Sequence, residues 1–314
     1  MWLLYLPLVI PALAGVAARP LAARLEPRLA TWLLTSATVA LAGCSTAALA
    51  LLAGFAAARA PALAALGNYS QSVMGRVDPI PVPTGAVAAL ALAGAAAGVV
   101  VIFRNRARAL AESYRRAAGL DTRDSIVVVP GPAIEAYALP GRRGRIVVSG
   151  CLLDRLDPGS RAALIAHEQA HLAGRHHLFA SVARLAAAAN PMLLPVARSV
   201  EYTVERWADE HAAAVTGDRR LVAATIGHVA LLASARPRQT PGIALGIIGQ
   251  FTERVWFAWA GPVPRRVAAL LTGPPRRRTV LVAASAAIVV LAGVSALEAA
   301  AGLHALLELA QAGR

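Results

Sequence analysis

The chain opens with three long apolar runs separated by arginines, and this alternation predicts most of its elements. Met1 to Ala18 carries no charge and is followed by Arg19, Arg24 and Arg28. A secretory leader has its positive charges before the apolar core, so this order reads as a spanning helix over 2–18 with an outside N-terminus. Leu29 to Ala58 is uncharged over more than the length that crosses a bilayer, which predicts a second span over 31–58. Asn68 to Pro83 is a polar, proline-bearing loop. Thr84 to Phe103, rich in glycine and alanine as closely packed membrane helices are, predicts a third span over 84–103. Thr279 to Leu297 reads as a fourth, within a membrane segment 279–302 that leaves a short external tail, 303–314.

After Phe103 the pattern changes. Arg104, Arg106, Arg108, Arg115, Arg116 and Arg123 crowd one stretch, and Arg276, Arg277 and Arg278 precede the fourth run. Basic residues stay on the cytoplasmic side, so residues 104–278 are expected to form one cytoplasmic domain, with both termini outside. Within it a helix through Tyr114 to Gly119 leads to strands at Ser125 to Val129, Ile134 to Leu139 and Arg145 to Ser149, the last two joined by the turn Pro140 to Gly144. Leu178 to Ala197 is apolar but carries Arg184 and breaks at Asn190-Pro191, so it is expected to lie against the membrane or the core without crossing. Residues 241–264, with Trp256 and Trp259 ahead of Arg265 and Arg266, suit a membrane interface. The expected class is α+β, mainly α: a polytopic membrane protein with about four transmembrane helices.

Composition agrees, with 57% hydrophobic and 15% charged residues and a mean hydropathy of +0.58. The formal charge of +14 is wholly arginine, since the chain has no lysine. These arginines flank apolar segments, which points to the lipid bilayer as the partner and to no nucleic acid. Cys44 and Cys151 are too few for a disulfide framework, and Cys151 reads as a small buried residue.

The chemistry lies in His167-Glu168-Gln169-Ala170-His171. Asp157 can cap a helix there, Pro158 suits its first position, and Arg161 to Ala173 are good helix formers until Gly174. On such a helix both imidazoles share one face and can reach one metal ion, while Glu168 is placed to act as a general base. A catalytic zinc takes three protein ligands, and Glu205 on the helical run Val196 to Val215 can supply the third. Asp209, one turn on, can accept the second ring proton of a ligating histidine. His176 and His177 fall off the helix face and read as outer-layer or surface residues. His228 reads as structural, and His211 and Arg206 are weak candidates for stabilising an oxyanion.

HEQAH, then Asn190-Pro191, then ERWAD, resembles the membrane-embedded M56 metallopeptidases, the BlaR1/MecR1 group, and the short interval from His171 to Glu205 fits that group. Residues 136–140, residues 145–149 and the run His171 to His176 resemble M48 peptidases. The resemblance implies a zincin-like domain with Zn2+ on His167, His171 and Glu205, Glu168 as base, and a substrate peptide added to Ala136 to Leu139 or to Arg145 to Ser149 as an extra strand. The BlaR1-like version implies a cytoplasmic protein substrate, a transcriptional repressor, without an external sensor domain. The M48-like alternative is a quality-control protease for membrane proteins, of the HtpX/Ste24 type. A third alternative is a non-catalytic signalling subunit with a structural zinc, against which the presence of Glu168 argues.

Overall fold

A computed structural model of the chain describes residues 5–57, 82–118, 125–132, 134–141, 144–234 and 263–273, with isolated helical positions between 283 and 308. The described elements are α1 (Leu6–Arg24), α2 (Pro27–Ala57), α3 (Val82–Ala118), β1 (Ile126–Val129), β2 (Ala136–Leu139), β3 (Arg145–Ser149), α4 (Gly150–Leu153), α5 (Pro158–Ala173), α6 (His176–Ala189), a 3-10 turn (Pro191–Leu193), α7 (Leu194–Thr216), α8 (Arg219–Ser234) and α9 (Val263–Leu271). The predicted loop 68–83, the interfacial segment 241–264 and the fourth span 279–302 lie wholly or mostly outside the described residues.

Among the described residues three helices are long and apolar enough to cross a membrane: Leu6–Arg24, Pro27–Gly54 and Pro83–Glu112. The last continues unbroken to Ala118, where the change from apolar to basic pattern had suggested a separate helix. Hydrogen-bond periodicity carries across that border because no proline or cap interrupts it.

Residues 178–197 pack along all three of these helices as the hairpin α6–α7. Asn190 turns the hairpin: its Oδ1 accepts from Met192 N–H at 3.0 Å, while its Nδ2 donates to Ser45 Oγ on α2 at 2.9 Å. A Cβ on Gly15 of α1 would lie 3.4 Å from the Met192 carbonyl oxygen. The Thr31 and Thr203 hydroxyls meet at 3.0 Å, and Arg106 donates to Ser181 Oγ at 2.8 Å. Buried Ala18, Leu34, Leu41, Phe179, Ala187, Val196 and Val200 form one core shared by α1, α2, α6 and α7. Gly15, Ala18 and Ala187 lie among these contacts, where small residues allow helix backbones to approach closely.

The three strands form one sheet in the order β1-β3-β2, with β1 parallel and β2 antiparallel to β3. β3 is paired on both sides, so Arg145 to Ser149 cannot add a substrate strand. Among the described residues only Ala136 to Leu139, of the two candidates, is an edge, and it lies against α5. The two strands look alike in sequence because pairing partners are not a local property.

The packing of α3 on α6 is testable. A Cβ on Gly98 would lie 3.2 Å from the Ala188 carbonyl oxygen, whereas one on Gly94 meets nothing within 4 Å. Gly98→Val is expected to cost about 1–3 kcal/mol by forcing the helices apart, and Gly94→Val to leave thermal unfolding in detergent unchanged. Equal melting temperatures for the two variants would contradict this contact.

Candidate metal centre

The helix α5 begins as its sequence requires. Asp157 Oδ1 accepts from the N–H groups of Gly159 and Ser160 at 2.9 and 3.1 Å, and Pro158 fills the first helical position. Its end is less simple than a glycine stop. Gly174 stays right-handed, and Arg175 takes the left-handed conformation at φ 49°, the only non-glycine described residue with positive φ. Gly174 is needed for space instead, since a Cβ there would lie 2.3 Å from His176 Nε2.

Across α5 and α7, His167, His171 and Glu205 converge. The two histidine Nε2 atoms are 3.1 Å apart, and each lies 3.6 Å from a Glu205 carboxylate oxygen. Tetrahedral zinc with bonds of about 2.0–2.1 Å holds its donors about 3.3 Å apart. The observed separations, the two to Glu205 ending on different carboxylate oxygens, bracket that distance, and two nitrogens with a carboxylate are a donor set that zinc accepts. The sequence-predicted ligands are thus brought together in an arrangement that could hold a metal ion.

Asp209, expected to accept the second ring proton of a ligating histidine, lies beside His167. Asp209 Oδ1 lies 3.0 Å from His167 Nδ1, within hydrogen-bond distance though without its alignment. Asp209 is 1% exposed, and the Arg266 guanidinium on α9 grips it with Nε to Oδ2 at 2.8 Å and Nη2 to Oδ1 at 2.5 Å. Arg266 Nη1 also lies 3.0 Å from Glu205 Oε2. Burial acts to raise both carboxyls, but Arg266 and the imidazoles outweigh it and hold both below the ordinary carboxylate range. Burial pushes His171 down to about 4, whereas for His167 the Asp209 and Glu205 carboxylates overcome burial and raise it.

Arg266 was assigned to a membrane interface by sequence. The signal that could have found it is a charged residue four positions before buried Leu270, on the apolar face of a short helix. The Arg206 guanidinium donates to the Ala22 carbonyl of α1 at 2.7 Å. His211 and His228 are exposed, and His176 is buried behind His171.

Glu168 is 2% exposed, and burial pushes its carboxyl up from 4.5 to about 7, with the His167 imidazole and the Ala138 N–H of β2 opposing. A carboxyl in that range can both take and return a proton near neutral pH.

Two outcomes follow from these charges. Arg266→Gln leaves Asp209 buried without its cation and is expected to destabilise the chain by about 3–5 kcal/mol, a loss that Asp209→Asn in the same chain should partly reverse. Calorimetry on the single and double variants measures it. For Glu168 the folded value lies above the unfolded one, so wild-type stability falls as pH rises from 4.5 to about 7, by at most about 3 kcal/mol. Metal-free Glu168→Gln should therefore melt above wild type at about pH 8, and the gap should close on acidification to about 4.5. A gap independent of pH would contradict the raised value.

No curated protein and no solved structure matches the chain. Residues 103–184, which include β1 to β3 and the whole of α5, match the family model of Peptidase family M48, whose members are zinc metallopeptidases. The match ends before Glu205, Asp209 and Arg266, and it is to M48 where the spacing to Glu205 suggested M56. With His167, Glu168 and His171 inside the matched stretch and three membrane-length helices around it, the match supports an M48-type metallopeptidase domain in a membrane protein.

Proposed function

We propose that the chain is a membrane-embedded zinc endopeptidase of the M48 kind that cleaves membrane proteins at their cytoplasmic side. The observation that carries this is the convergence of His167, His171 and Glu205, with the two Nε2 atoms 3.1 Å apart, His167 Nε2 3.6 Å from Glu205 Oε2 and His171 Nε2 3.6 Å from Glu205 Oε1, a clustering that suits one zinc ion. Zinc in such a site acts as a Lewis acid toward a peptide carbonyl and acidifies water. Glu168 takes the proton from the attacking water and returns it to the leaving nitrogen. Asp209, held by Arg266, orients His167. β2, an edge strand among the described residues whose Ala138 N–H meets the Glu168 carboxyl, aligns an extended substrate peptide beside the base.

A membrane-protein substrate is favoured by where the site lies. Arg206 and Trp207, next to Glu205, touch the joined ends of α1 and α2, through the Ala22 carbonyl at 2.7 Å and the Arg28 guanidinium 5.5 Å from the Trp207 ring. A second reading, a BlaR1-like protease for one cytoplasmic repressor, is favoured by Asn190-Pro191 and by the short interval from His171 to Glu205.

Purified protein should carry about one zinc per chain, and His167→Ala, His171→Ala or Glu205→Gln should each lose most of it by elemental analysis. Asp209→Asn should weaken zinc binding about 10–100-fold. Glu168→Gln should keep its zinc and lose proteolysis by several orders of magnitude, since only the base is removed. In cells, accumulation of many damaged membrane proteins in Glu168→Gln supports the M48-like reading, and persistence of a single repressor supports the second. A variant indistinguishable from wild type in both respects would show that the zinc is structural.

A further inference from the structure

The sharp turn after α5 brings one more imidazole to the site. His176, the first residue of α6, is 1% exposed, and its Nδ1 lies 3.0 Å from His171 Nδ1, the rings 4.9 Å apart and nearly perpendicular. Resting on the zinc peptidase reading above, we propose that His176 is a positioning residue for the metal centre. Its Nδ1 accepts the Nδ1 proton of His171 and so fixes the tautomer and ring plane that present His171 Nε2 to the ion.

The argument begins with an asymmetry between the two ligating rings. A histidine that binds metal through Nε2 carries its proton on Nδ1, and that proton needs an acceptor which orients the ring. His167 has Asp209 Oδ1 at 3.0 Å in that place. His171 has the His176 ring instead. A neutral imidazole accepts at one nitrogen only, so His176 must carry its own proton on Nε2.

The second observation is the state of that Nε2. It is buried and has no hydrogen-bond partner among the described residues. A buried donor left unpaired is unfavourable, and an apolar ring would fill the same space without that penalty. The imidazole therefore makes sense through its other nitrogen, the one that meets His171.

The surroundings hold this ring still. Trp207 lies against it, tilted by 50° with ring centres 4.6 Å apart, and Gly174 leaves the space its edge occupies. Arg175 takes a left-handed backbone conformation, unfavourable for a side chain, to turn His176 inward. Its neighbour His177 is only half-buried and has no such contact described.

The test compares zinc affinity of the full chain in detergent, by competition with a chromophoric chelator, for wild type, His176→Asn and His176→Phe. Asparagine keeps an acceptor near the position of Nδ1, whereas phenylalanine keeps the volume without one. His176→Phe is expected to bind zinc about 10–100-fold more weakly, with metal-free thermal stability no lower than wild type, and His176→Asn to stay within a few-fold of wild type. With cobalt(II) in place of zinc, the visible absorption bands should move in His176→Phe and not in His176→Asn. If His176→Phe does not fold, His176→Ala against His176→Asn provides the same contrast. Unchanged zinc affinity in His176→Phe, or equal loss in His176→Asn, overturns the assignment alone. A wild-type chain that binds no zinc overturns the peptidase reading and the assignment together.

Discussion

Two carboxylates on successive turns of one helix, Asp209 buried and Glu205 half-buried, face the same site, and Arg266 is the cation that lets both stay ionised. Its fork closes on Asp209 and its third nitrogen reaches Glu205. Guanidinium stays charged in any protein environment, so the compensation does not fade with burial. Without it, one carboxyl would take up a proton: Asp209 would lose the charge that faces His167 Nδ1, or Glu205 would lose a lone pair to hydrogen. The cation comes from α9, near the far end of the described chain, so the centre is complete only once that helix has docked on α7 and α8.

The helix α7 faces two ways. One face carries Glu205 and Asp209 toward α5, and the other buries Ala197, Val200 and Val204 with residues of α1 and α2. Arg206 donates to the carbonyls of Ala22, Ala23 and Leu25, which the end of α1 leaves without helical partners. Trp32 of α2 meets Phe179 edge-on at 4.8 Å, and Phe179 and His176 both lie against Trp207. The face that carries Glu205 and Asp209 and the membrane-length helices are therefore joined through a few side chains.

Much of this was legible in the sequence. The apolar runs mark α1, α2 and α3 because a bilayer crossing is a local length of apolar chain. Asp157, Pro158 and the spacing of His167 and His171 specify α5 and its metal-facing side, since capping and helical periodicity act over a few residues. Glu205 and Asp209 could be paired with that helix because they are themselves one turn apart.

What only the tertiary structure decided are the matters that depend on distant partners. Arg265 and Arg266 look alike in sequence, yet one guanidinium lies over the Tyr202 ring at 4.5 Å and the other is sealed between two carboxylates. His176 and His177 are adjacent, and the left-handed turn at Arg175 buries the first behind His171. Ala136 to Leu139 and Arg145 to Ser149 have equal strand character, and pairing with β1 leaves only the former with a free edge. Spacing along a chain fixes which side chains share a helix face. Which buried charge meets which counter-charge is fixed by the packing of segments far apart in sequence, where desolvation makes an unpaired group too costly to keep.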